Sequence, residues 1–149
     1  MSFAFNLIWF VFGGLVLGLV WVLLGLALCV TIIGIPFGIA CFRIADFAFF
    51  PFGKDIVPAE IVGEKAVIGS SLGNLLWIIL FGFWLGLANA IIGIGYCCTI
   101  IGIPWGIASF NLAKASFAPL GKRVVSKEMA KVARERYAKN KLDKAMAKS

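Results

Sequence analysis

Sliding the chain along itself by 68 residues lays positions 6–54 on 74–122 without a gap, with about half of them identical. The match is densest at TIIGIPFGIA, residues 31–40, which returns as TIIGIPWGIA at 99–108. Asn6, Leu7 and Trp9 recur as Asn74, Leu75 and Trp77, and Phe42, Ala45, Phe49, Pro51, Gly53 and Lys54 as Phe110, Ala113, Phe117, Pro119, Gly121 and Lys122. Shared hydrophobicity does not produce a gapless match of this length. One unit is present twice in tandem.

Each unit opens on an uncharged run, residues 5–30 and 73–98. As a helix such a run extends about 39 Å at 1.5 Å per residue, more than the roughly 30 Å hydrocarbon core of a bilayer. Composition agrees: 62% of the 149 residues are hydrophobic and only 14% charged, against about 25% charged in globular domains. A soluble domain of this size would leave large apolar patches in water. The opening MSFAFNLIWFVFGG has no Lys or Arg ahead of its apolar run, and that run exceeds a signal-peptide core, so it is expected to be a retained span.

After each run comes a backbone-breaking motif, Gly34, Pro36 and Gly38 in the first unit and Gly102, Pro104 and Gly106 in the second. Proline lacks a donor and disfavours helical geometry in the residue before it, while glycine permits a tight bend. The chain is expected to turn there into a shorter membrane helix, with the turn buried in protein or near a membrane surface. Phe37–Phe50 as a helix reaches only about 21 Å. Two topologies follow: four spans with parallel hairpins and both termini cytoplasmic, which is the favoured one, or two spans with interfacial short helices and inverted repeats.

The expected class is an all-α membrane protein. Its segments are membrane repeat 1 (1–54), a polar connecting loop (55–73), membrane repeat 2 (74–122) and a basic cytoplasmic helical tail (123–149). Residues 122–149 hold ten Lys/Arg and three Asp/Glu, which is the whole net charge of +7. The positive-inside rule puts that tail in the cytoplasm. Ser126 is a good N-cap with Glu128 in the first turn of an amphipathic helix. The tail suits anionic lipid headgroups, at about 1 kcal/mol per basic residue; it carries no nucleic-acid recognition motif or stacking platform.

Candidate functional residues fall into three sets. Arg43 and Asp46 in the first short helix, with Asn111 and Lys114 in the second, are rare polar groups inside membrane segments and form a candidate polar pathway together with Asn89, which stands where the first unit has Trp21. Asp46 and Lys114 are repeat equivalents that a pseudo-twofold axis would bring together, and Arg43 could pair locally with Asp46. The bland alternative is snorkelling at a membrane surface and, for Asn89, helix-to-helix hydrogen bonding. Gly14 and Gly18, with Gly82 and Gly86, give small-xxx-small spacing that suits a repeat or subunit interface.

No catalytic set is expected. Cys29, Cys41, Cys97 and Cys98 lie in apolar stretches without CxxC spacing, and there is no histidine, so neither a zinc site nor a Cys nucleophile with a histidine base is expected. Nor are there nucleophile-elbow, P-loop or haem-ligating patterns. No cofactor or metal is expected.

The repeated TIIGIPxGIAxF block, the G-K and G-K-R-V-V endings of the two units and the basic C-terminal helix resemble the YccF family of bacterial inner-membrane proteins, over residues 1 to about 137. The resemblance implies a multi-pass protein of the inner membrane with a duplicated domain. It transfers no catalytic residue. The leading functional expectation is a homo-oligomeric channel or permeation protein, since four helices alone enclose no useful pore. The rival is a non-catalytic scaffold or regulatory subunit contacting lipid or a partner through its tail.

Overall fold

The computed structural model describes residues 2–65 and 69–149, so positions 66–68 of the expected connecting loop lie outside the described residues. Each repeat is a helical hairpin. The long arms are α1 (Ser2–Cys29) and α3 (Ser71–Cys97); the short arms are α2 (Ile35–Phe49) and α4 (Ile103–Phe117).

The hairpin turn satisfies its own polar groups. The Thr31 hydroxyl donates to the Leu28 carbonyl oxygen at 2.9 Å and accepts from the Gly34 N–H at 3.1 Å; Thr99 does the same with Tyr96 and Gly102. Carbonyls left over at the end of a long arm thus find partners within the turn itself. Pro36 and Pro104 stand in the first turn of the short arms, where an N–H would have no intrahelical partner anyway.

Glycine lets the two arms touch. A Cβ on Gly25 would lie 3.1 Å from the Gly38 carbonyl oxygen, and one on Gly93 would lie 3.3 Å from that of Gly106. Gly14 and Gly82 face the carbonyl oxygens of Ala48 and Ser116, and Gly18 and Gly86 lie under the rings of Phe49 and Phe117. The small-xxx-small pairs therefore seat each long arm on its own short arm, and that glycine face is not free for a second subunit. One π-helical turn, Phe10–Gly14 and again Ile78–Gly82, follows Trp9 and Trp77, whose indole N–H groups donate to the Ala48 and Ser116 carbonyls at 2.7 Å.

The helical expectation holds for most of the chain, and one short strand pair is added to it. Strand β1 (Lys54–Pro58), in what was expected to be loop, pairs antiparallel with β2 (Lys122–Ser126). Each strand follows a glycine with positive φ, Gly53 at 92° and Gly121 at 78°, and holds a β-branched pair, Ile56–Val57 or Val124–Val125, the residue type that favours a pleated backbone. Ile56 pairs with Val124, which is its own repeat equivalent. A pseudo-dyad therefore passes through the ribbon at that pair.

Side-chain contacts obey the same dyad. Phe37, at the turn end of the first hairpin, stacks on Trp77 at 5.6 Å; Trp105, at the turn end of the second, packs on Phe5 at 5.4 Å and Phe52 at 6.1 Å, at the open end of the first. Tyr96 meets Trp9 at 5.9 Å. The turn of each repeat thus lies beside the open end of the other, and the repeats run antiparallel. Parallel hairpins, the arrangement the sequence favoured, do not occur in this fold. The core between the repeats is built on Trp21, Cys41, Ile44, Ala45, Phe47, Ala48, Trp77, Leu112 and Ala115, with Ile56 and Val124 packed on it from the ribbon.

The last helix, α5 (Lys127–Lys148), starts where the sequence put it: the Ser126 side chain accepts from the Met129 N–H. Its first N–H donates to the Gly53 carbonyl at 3.1 Å, which locks the helix to the open end of repeat 1. From there it lies along the ribbon and the short 3-10 turn Ala59–Val62.

Candidate functional site

The candidate site is the charged layer on the dyad. Residues 2–42 and 69–113 contain no charged side chain. All the charge lies on the ends and outer stripes of the short arms, the ribbon, the connecting loop and α5. Since the ribbon straddles the dyad, this layer is centred on the molecule and not on either end of its long helices.

Within the layer three of the seven acids are held in ion pairs. Asp46 accepts from Lys54 with both carboxylate oxygens at 2.7 Å, and not from Lys114 or Arg43, the two partners the sequence had left open to it. The cause is local: Gly53 turns the chain back over the end of α2 and brings Lys54 to it. Asp55 takes Arg134 of α5 at 2.8 Å, and Glu64 takes Arg123. Residues 1–121 are neutral overall, so β2 and α5 give the layer its positive charge.

The candidate pathway residues divide among three places. Arg43 and Asp46 line a hollow with Ile39, Phe42, Arg123 and Val124. Arg43 is half-buried and Asp46 exposed; their repeat equivalents, half-buried Asn111 and exposed Lys114, occupy the corresponding stripe of α4. Asn89 is elsewhere. It is 1% exposed, inside the second hairpin, where its amide donates to the Leu85 carbonyl at 2.8 Å. The structure therefore places Arg43 and Asp46 at the ribbon, leaves Asn111 and Lys114 on the surface stripe of α4, and sets Asn89 in the packed interior.

The backbone-breaking residues take structural places. Gly34 and Gly102 close the turns, Gly38 and Gly106 carry the crossings of the arms, and the prolines start the short helices. At the tips Ile32 and Ile100 are each 88% exposed, so the tips are apolar surface. A groove of about 510 Å³ opens between α5 and the 3-10 turn, with Ile61, Val62, Met129, Val132 and Tyr137 along it and Glu60 and Arg136 at its edge. Sequence reasoning missed this groove because it treated residues 55–73 as loop; the apolar pair Ile61–Val62 was the available signal.

Two clasps fix the layer to the hairpins. Asn6 bonds the Phe52 backbone in both directions, at 2.9 Å each way, and Asn74 repeats this on Leu120 at 3.2 and 3.0 Å. Neither asparagine was picked out as functional, although both recur in the duplication.

The family model described as the inner membrane component domain, YccF, matches twice, at residues 4–54 and 72–122. Among curated proteins the chain is 35% identical to the inner membrane protein YccF of Escherichia coli (strain K12) over 148 residues, covering 96% of this chain and all of that protein. The same figures hold for the YccF protein of Shigella flexneri. No solved structure matches. A duplicated match over both hairpins, together with full-length identity at this level, establishes that the chain belongs to the YccF family of inner-membrane proteins.

Proposed function

We propose that the protein is a subunit of a non-catalytic, ring-shaped membrane channel whose ribbons and α5 helices face a water-filled, anion-attracting lumen. The observation that carries this reading is the position of the charged layer on the dyad between antiparallel repeats. α1 is 28 residues long and uncharged, which makes it about 42 Å, enough to cross a bilayer with tilt. If α1 and α3 cross in opposite directions, the dyad lies in the membrane plane and the charged layer, α5 included, lies at mid-depth, not in the cytoplasm where the charge of the tail taken alone had put it. Charge at that depth needs water. One chain cannot enclose it, and several chains around an axis can. Inverted repeats about an in-plane axis are a common plan for permeation proteins.

The selectivity follows from the charge. Asp46, Asp55 and Glu64 are spoken for by Lys54, Arg134 and Arg123, and on α5 the exposed Lys131, Lys139, Lys141 and Lys144 outnumber the exposed acids Glu128, Glu135 and Asp143. Reconstituted in planar bilayers, the protein is expected to carry currents with anions favoured over cations. Replacing those four lysines by glutamine should remove most of that preference, read as a shift of the reversal potential in a salt gradient. Silence from folded, inserted protein would end the channel reading.

A second reading has its own support. Because every charge lies on one side of each hairpin, a single subunit satisfies all of them if the dyad stands along the membrane normal, the hairpins lie flat in one leaflet and the layer faces the cytoplasm. That arrangement gives a lipid-binding platform, and exposed Leu142 and Met146 among the lysines of α5 suit an interfacial helix.

A further inference from the structure

The dyad lets the two halves of the core be compared place by place. On one side Trp77 is enclosed by repeat-1 residues: Trp21 stacks on it at 6.3 Å and Phe37 at 5.6 Å, with Cys41 and Leu28 in the same cluster. On the other side Trp105 and Tyr96 pack with Trp9, the equivalent of Trp77, and the dyad sets Asn89 and Ser109 at the places of Trp21 and Cys41. There Trp21 becomes Asn89, Phe37 becomes Trp105, Cys41 becomes Ser109 and Leu28 becomes Tyr96. All four exchanges add hydrogen-bonding capacity, and the first replaces a bicyclic indole with a small carboxamide.

Those polar atoms are buried and lack partners within the protein. Asn89 is 1% exposed, Ser109 0% and Trp105 8%, yet the Asn89 Oδ1, the Ser109 Oγ and the Trp105 Nε1 make no hydrogen bond. By contrast the Trp9 and Trp77 indoles each donate to a carbonyl at 2.7 Å. An acceptor, an indole donor and a hydroxyl that can do either, with no charged group among them, suit a neutral guest that both donates and accepts. Leaving such atoms unpaired in a low-dielectric interior is costly, and a polar pocket with room recruits water.

We infer that the second repeat holds an internal water site around Trp9, bounded by Asn89, Trp105 and Ser109, whose counterpart in the first repeat is closed and dry. Water there donates to the Asn89 Oδ1 and accepts from the Trp105 indole, with the Ser109 hydroxyl completing the set. The duplication has thus diverged into an apolar half and a hydrated half. The site stands whichever way the hairpins lie in the membrane.

The test uses full-length protein with 15N-labelled indoles in lipid bilayers, transferred to D2O and followed by solid-state NMR. The Trp105 indole proton is expected to exchange several-fold faster than those of Trp9 and Trp77, although all three side chains are buried. The double variant Asn89→Trp with Ser109→Cys, which copies the first repeat, should slow Trp105 to the rate of the other two. Exchange at Trp105 as slow as at Trp77 in the parent protein would overturn the site, and that comparison needs no variant to fold. Unchanged fast exchange in a folded double variant would overturn it equally.

Discussion

Trp77→Ala is expected to destabilise the protein by about 3 to 5 kcal/mol, the range for removing a large aromatic from a packed interior. Trp77 is 2% exposed, stacks on both Trp21 and Phe37, and its indole N–H is committed to the Ser116 carbonyl. It belongs to the second repeat, and both stacking partners to the first. Its loss therefore opens the contact between the hairpins and strands a buried carbonyl acceptor as well. Reversible unfolding in mixed detergent micelles, compared with the parent protein, measures the change. Trp9→Ala should cost less, because polar neighbours around Trp9 let water occupy the space left behind.

The second large effect is at the turns. Gly34→Ala and Gly102→Ala should each cost about 2 to 3 kcal/mol, as overpacking does in a site that cannot relax. Backbone conformation is not the reason, since Gly34 has φ −79° and Gly102 φ −78°, both ordinary for any residue. A Cβ on Gly34 would strike the Leu28 carbonyl and the Thr31 hydroxyl, and one on Gly102 would strike the matching groups of Tyr96 and Thr99. These atoms form the hydrogen bonds that close each turn, so none can retreat without breaking one. Gly95→Ala is the control. A Cβ there meets nothing within 4 Å, and alanine should be neutral or stabilise the helix by up to about 1 kcal/mol. The same detergent unfolding series reads all three.

The hairpins were legible in the sequence because their signals are local. Thr31, Gly34 and Pro36 lie within six residues of one another, and their recurrence at Thr99, Gly102 and Pro104 marks the second turn independently. Ser126 as a cap is equally local. The ribbon was not legible: each strand has five residues, and its partner lies 68 positions away in the repeat, so only the β-branched pairs after Gly53 and Gly121 hinted at it.

The direction of the second hairpin was beyond the sequence for a different reason. A duplication fixes what each repeat looks like and says nothing of how two copies face each other; contacts such as Phe37 on Trp77 decide that. The same limit explains Asp46. Its partner Lys54 is only eight residues on, but the reversal at Gly53 that delivers it depends on the strand beyond. Asn89 was visible as the odd residue at its place. Its companions Trp105, Ser109 and Tyr96 were visible too, as differences between copies, but became one site only when the dyad put them around Trp9.

The measurement that bears most directly on the channel account is the sidedness of the two turns. Single cysteines at Ile32 and Ile100, both fully at the surface of the fold, in a background with the four native cysteines replaced, are labelled with a membrane-impermeant maleimide in sealed, oriented vesicles. Helices that cross in opposite directions predict that one turn is labelled only from outside and the other only from the lumen. Two turns that behave alike, both labelled from one side or both shielded from either, would contradict the in-plane dyad and leave the flat-lying platform as the arrangement of this fold.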